Sequence, residues 1–304
     1  MQYSHALRLP RSGAARKTIL VALAAFIAIS PEVSAHGHGI VGDRIFISPI
    51  VGNDSFPDNA FSLTTRRSDY AFSIVPTLEK QLSESSSLLL TGGWDTTEAA
   101  GNSDPSGARD LSIYYRQSLF LSPRHETEFT ISPFVVAPTG DRRIGDQGYT
   151  HLGGEMMLGK GMGDLPDTPS FRLMRPIAIQ AEAGYAGRVQ GPANSDVFAN
   201  LEVEYSLGYL NRYVRPVAAG RPLINLVPYV EFDYSQAMID SRLTTSPDFL
   251  ITPGVAYLGD KFLVSLGAQV DLNGASHRGD RAAALCLVEI FYDDIFPALG
   301  KNPF

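Results

Sequence analysis

Apolar and polar residues alternate along most of this chain, in about a dozen segments of roughly ten residues separated by breaks rich in Gly, Asn, Asp and Pro. Asp196–Gly208 is the clearest copy. Val197, Ala199, Leu201, Val203, Tyr205 and Leu207 fall on one parity, and Asp196, Phe198, Asn200, Glu202, Glu204, Ser206 and Gly208 on the other. Side chains of a strand point alternately to opposite faces, so one face is apolar and the other carries two carboxylates. Repeated around the whole chain, this is the pattern of a transmembrane antiparallel β-barrel, with lipid outside and water or packed polar groups inside. A soluble sandwich or lipocalin-like barrel would reverse the faces.

The predicted strands are Ile40–Ser48, Tyr70–Gln81, Ser87–Thr96, Arg109–Phe120, Glu126–Ala137, Tyr149–Gly159, Phe171–Ala186, Asp196–Gly208, Leu223–Ser235, Asp248–Leu258, Lys261–Asp271 and Arg281–Tyr292. They number about 12, the even count of bacterial single-chain barrels. Tight links at Gly259-Asp260, around Glu84 and around Ser122-Pro123-Arg124 fall at one end if both termini are periplasmic. Longer polar loops (97–108, 138–148, 236–247 and 272–280) then fall at the other. The connections 160–170 and 209–222 are too long for this rule and imply a small helix or different strand ends. Val51–Ser68 reads as an outer loop able to fold into the lumen.

The N-terminus qualifies this picture. Residues 1–35 carry Arg8, Arg11, Arg16 and Lys17, then an apolar run from Thr18 to Ile29, then Val33-Ser34-Ala35: the form of a cleaved secretory signal peptide. The run is too short for a spanning helix, which needs about 20 residues, so a membrane position would be taken by strands. Residues 36–304 form a single barrel domain, with a periplasmic tail from about 293. The lone cysteine, Cys286, excludes an internal disulfide and sits on the outward parity of the last strand; none lies at the cleavage site to carry a lipid anchor. A net charge of −7 without a basic run in the mature chain argues against nucleic acid. The expected location is the bacterial outer membrane, the expected partners its lipid, a small-molecule solute and the barrel-assembly machinery.

The inward parity is biased to acid. Glu155, Glu182, Glu202, Glu204 and Glu231 lie on consecutive strands, with Asp233 beyond them; Glu79, Asp95, Glu128, Asp271 and Glu289 share that parity, and Arg116, Arg172, His151, Lys261 and Arg281 are the basic groups expected to line the same lumen. Such a wall favours cations and repels anions, or is simply solvated. No catalytic residue is expected: there is no G-x-S-x-G elbow, and His151 stands about 13 Å along its strand from Glu155. Cofactors are not required, with one exception. Cleavage after Ala35 would expose His36-Gly37-His38, whose amine, amides and imidazole could hold Cu(II) or Ni(II) in a square plane.

Ala35-His36-Gly37, followed by Gly42-Asp43-Arg44-Ile45-Phe46 and a chain of alternating strands, resembles the bacterial outer-membrane proteins grouped as MetA-pathway phenol-degradation or transporter-like barrels. That resemblance implies a barrel of about 12 strands passing hydrophobic or aromatic compounds. The ending Gly300-Lys301-Asn302-Pro303-Phe304 has the terminal aromatic of such barrels, but Pro303 excludes a strand there. The resulting expectation is a channel or facilitator, not an enzyme, for a small aromatic, hydrophobic or cationic solute. The alternatives are an outer-membrane lipid-modifying enzyme and a closed structural or adhesive barrel.

Overall fold

The computed structural model describes residues 39–97, 105–144, 148–189, 194–218, 220–239, 242–243, 247–273 and 281–300. Twelve antiparallel strands form one closed barrel: β1 (Ala60–Ser68), β2 (Ala71–Ser83), β3 (Ser86–Thr91 continuing as Trp94–Thr97 past Gly92-Gly93), β4 (Leu111–Ser122), β5 (Thr127–Ala137), β6 (His151–Gly161), β7 (Ile177–Arg188), β8 (Asn194–Tyr205), β9 (Leu226–Ile239), β10 (Asp248–Leu258), β11 (Phe262–Asp271) and β12 (Ala282–Phe291). Each pairs with its sequence neighbours, and β12 closes on β1 through partners such as Cys286 with Thr65. Closure removes the unpaired edges that a lipid environment cannot satisfy. No helix of the described residues is long and apolar enough to cross a membrane.

Alternation sets which face each residue takes. On β5, Glu128, Thr130 and Ser132 are buried inside while Ile131 is exposed outside; on β11, Leu263, Ser265 and Gln269 are buried while Phe262, Leu266 and Val270 are exposed. Phe61, Leu78, Trp94, Tyr115, Leu152, Met156, Tyr185, Leu201 and Val288 extend the exposed apolar surface across most of the strands. In water so much exposed apolar area would drive association; against hydrocarbon it is the matching surface. Cys286 takes the outward parity of β12 with Ala284 and Val288.

The count of twelve holds, but the first strand is not where the pattern placed it. Ile40–Ser48 contributes only a small hairpin, Ile40–Val41 against Arg44–Ile45, outside the barrel sheet. Val51–Ser68 is not an outer loop: Ala60–Ser68 is β1, joined to β2 across Asp69-Tyr70. Thr64, Thr65, Arg66 and Arg67 mask its alternation, because only Phe61 and Leu63 mark its outward face. The three tight links do share one end with the entering N-terminal segment, here the near end. Both long near-end connections contain turns of helix, at Arg172–Met174, Leu207–Val214 and Arg221–Ile224. Phe171 and Arg172 consequently lie outside β7, which begins at Ile177.

Candidate functional site: a lumen closed by the N-terminal segment

Residues 39–59 run inside the barrel, entering at the near end, turning around Val51–Asp54 and returning to the near end to start β1. Local chemistry keeps this stretch out of the sheet. Gly42 adopts φ +64°, and a Cβ there would sit 2.3 Å from the Pro123 carbonyl oxygen, so the turn requires glycine. Pro49 and Pro57 lack the N–H that a strand ladder would use.

Arg44 fastens the segment where it enters. Its side chain is fully buried; Nε donates to Glu126 Oε2 (3.3 Å), the two terminal nitrogens donate to the carbonyls of Pro176 (2.9 Å) and Arg175, and the guanidinium lies 3.9 Å from the Tyr209 ring centroid. The Tyr209 hydroxyl donates to Glu126 Oε1 (3.0 Å), and the Gly163 amide donates to Oε2 (3.0 Å). Burial, then the neighbouring Glu126 carboxylate, pushes the Tyr209 hydroxyl up to about 12, so it remains a donor. Three near-end connections are thereby tied to one residue of the segment.

Higher in the lumen, the inward glutamates accept hydrogen bonds from the segment's backbone. Ile47 N–H donates to Glu204 (3.2 Å), Ile50 and Val51 N–H to the two oxygens of Glu231 (2.6 and 3.0 Å), and Asn53 N–H to Glu182 (2.8 Å). The Asn53 side-chain amide also reaches Glu155 at 3.3 Å and Glu182 at 3.5 Å. Gln180 joins the same layer, donating to the Ile47 carbonyl (2.6 Å) and to Glu202 (3.1 Å). On the returning arm, Arg116 holds Asp54 and Glu79 at 2.8 Å each, and the Asp58 amide donates to Glu79 at 3.3 Å.

The inner wall is not uniformly polar. Ile47 and Ile50 pack against Val227, Tyr229, Ala256, Leu263, Ala283, Leu285 and Leu287 on β9 to β12, while most of the buried carboxylates that meet the segment stand on β6 to β9, with Glu79 on β2 and Glu289 on β12. The segment therefore sets Ile47 and Ile50 against the β9 to β12 wall and most of its donated backbone N–H groups against β7 to β9.

Above its tip the lumen opens into two adjoining cavities of about 370 and 330 Å³. Val51, Gly52, Asn53, Tyr114 and Gln269 line both. The larger has Tyr114, Phe134 and Phe198 on its wall, with ring centroids 4.9 Å apart for the first pair and 6.4 Å for the second. Phe134 lies over Gly153 and Phe198 over Gly184, where a Cβ would fall 2.2 Å from each ring, so these glycines create the space that the rings occupy.

Of the residues expected in the lumen, Glu155, Glu182, Glu202, Glu204, Glu231 and Arg116 are buried inside it. Asp233 lines the larger cavity and accepts from Asn200; His151 sits on the inward parity at the far end of β6. Arg172 is excluded: it lies in an exposed near-end turn paired with Asp167 at 2.8 Å. His36 and His38 lie outside the described residues, and no group of three or more His, Cys, Asp or Glu with metal-ligand geometry occurs among the described ones. Glu79 and Glu289, also expected on the inward parity, are buried there, the latter accepting from Ser48 on the segment; the sequence reading missed Arg44 and Asn53. Gly42-Asp43-Arg44 was the available signal, a tight turn beside a cation that a lipid-facing strand would not carry.

No protein-family profile and no curated protein matches this chain. Among solved structures it is similar to the NanC porin (TM-score 0.48, 7% identity, covering 76% of this chain and 98% of that one). It is similar also to the KdgM porin (0.44, 7%, 76% and 98%) and to LpxR from Salmonella typhimurium (0.41, 10%, 76% and 99%). Overlaps this slight carry no assignment, and the closed twelve-stranded barrel stands on the chain's own strand pairing.

Proposed function

We propose that this chain is a bacterial outer-membrane barrel that admits a small solute, and that residues 39–59 are an internal plug whose movement opens the path. The observation that supports this is the division of contacts. The wall is sealed by backbone ladders, whereas the plug is held to it by side-chain hydrogen bonds and by burial of Val41, Phe46, Ile47, Ile50 and Phe56. Such contacts stabilise by about 0.5–3 kcal/mol each, so the plug can be released without opening the barrel. The far-end cavity then becomes continuous with the near end.

Secretion through the signal at residues 1–35 would leave the plug entering from the periplasm. Once the plug withdraws, the exposed glutamates would favour cations over anions. The test is planar-bilayer conductance of the refolded mature chain under a salt gradient. Brief cation-selective openings on a closed baseline are the expected record. A demonstrably inserted chain that stays silent, including when the plug grip is weakened, would refute the reading in favour of a closed barrel.

A further inference from the structure

We infer, building on the solute-passage reading above, that the larger far-end cavity binds an organic cation with a flat apolar body, its charged nitrogen displacing the Asn53 amide from Glu155 and Glu182. Four observations converge there. The cavity, about 370 Å³, is of a size for a single-ring solute. Its wall presents Tyr114, Phe134 and Phe198, ring faces that attract both apolar planes and cations. At its floor, Glu155 and Glu182 are met by the Asn53 Nδ2 at 3.3 to 3.5 Å, long bonds from a neutral donor where an ammonium would make shorter, charge-assisted ones. Every charged residue lining this cavity is a carboxylate (Glu155, Glu182, Asp233 and Asp248), with no lysine or arginine among the lining residues.

The nearest cation, Arg116, acts on Glu155 and Glu182 through its field, but its hydrogen bonds go to Asp54 and Glu79 at 2.8 Å each and to the Asn53 Oδ1 at 3.4 Å, so a direct donor position on the pair is left for another cation. Arg66 and Arg109 line the adjoining cavity instead. Asn53 belongs to the plug, so a cation that takes its place also removes one of the contacts holding the plug tip. Binding and release of the plug would thus share two carboxylates.

The experiment is calorimetry of the refolded mature chain in detergent with benzylammonium, benzyl alcohol and benzoate. Benzylammonium should bind about tenfold or more tightly than the isosteric alcohol, and benzoate more weakly than either. Glu155→Gln with Glu182→Gln should erase the preference for the cation. Those residues and Phe134 also pack the wall, so Asn53→Ala gives an independent arm: it removes the competing amide, together with the Oδ1 that accepts from Arg116 at 3.4 Å, and should tighten benzylammonium several-fold. Equal binding of the alcohol and the ammonium, or no change in Asn53→Ala, would overturn the inference. A chain that binds benzylammonium selectively yet never conducts would fail the passage reading alone; one that conducts without this preference would fail only the inference.

Discussion

Arg44→Ala is the sharpest test of the plug, because Arg44 lies on the segment and not on the barrel wall. The substitution removes its bonds to Glu126 and to the Pro176 and Arg175 carbonyls, and its contact with the Tyr209 ring. Taking one partner from a buried ion pair costs about 3–5 kcal/mol. Glu126 keeps its donors from Tyr209 and Gly163, which places the loss near the lower figure. About 3 kcal/mol shifts the docked-to-released equilibrium of the plug roughly 100-fold.

The assay has two parts, both in a Cys286→Ala background: opening frequency in planar bilayers, and the rate at which a water-soluble maleimide labels Phe46→Cys. Phe46 is buried against Phe56 while the plug is docked. Both rates should rise by about the same factor of 100. Arg44→Lys, which keeps the charge but not the fork, should fall between. A heat-shift gel verifies that the barrel still forms. Opening and labelling within twofold of the parent in a folded Arg44→Ala barrel would refute the claim that Arg44 clamps the plug.

Further outcomes follow from the same contacts. Gly42→Ala meets both a left-handed φ and the Pro123 carbonyl; it should loosen the plug by about 1–2 kcal/mol or more, read as more frequent openings with an unchanged barrel heat shift. Glu231→Gln places an NH2 against one of two backbone N–H donors and should raise opening frequency about tenfold, from a cost of about 1–3 kcal/mol. At the near end, burial raises the Asp164 pKa, but its contacts with Lys160 and His125 outweigh that and hold it below the usual carboxylate value. Its folded pKa is depressed, so its small contribution (well under ~1 kcal/mol for so exposed a group) is present above the unfolded value near 3.8 and lost as pH falls through the folded one. Asp164→Asn should flatten the part of a melting-temperature profile where pH falls through and below about 3.8. Cys286 should resist polar maleimides in lipid vesicles and react once the barrel is unfolded in urea.

How much of this was legible depended on whether a strand's two faces differ. β11 was placed within one residue and β8 within three, with their faces assigned correctly, because one face is apolar and the other largely polar. β12 was placed, but its role was not: Ala283, Leu285 and Leu287 face inward while Ala284, Cys286 and Val288 face outward, so alternation gives no hint that the inner wall there is apolar. β1 failed for the opposite reason, since five polar residues in a row, Thr64 to Ser68, erase the period. The inward glutamates were found by parity alone. What they bind was not, because their partners are backbone N–H groups from a segment whose side chains carry no sign of it.

That pairing changes what an acidic lumen means here. Carboxylates as buried as Glu202, Glu204 and Glu231 are costly unless something donates to them. In the closed barrel the plug's amides serve Glu204 and Glu231, and Gln180 serves Glu202. Once the plug leaves, Gln180 and Asn200 on the wall still donate to Glu202 and Glu231, but the places of the plug's amides on Glu204 and Glu231 can be taken only by water or a cation. Plug amides and cations therefore compete for the same oxygens, and each cation bound on the wall disfavours the plug's return by its own binding free energy. Selectivity and gating would then rest on one set of side chains. Neutralising Glu202 and Glu204 together should both weaken cation preference in the open state and shift how often that state is reached. A variant that changed one without the other would separate two roles that the geometry joins.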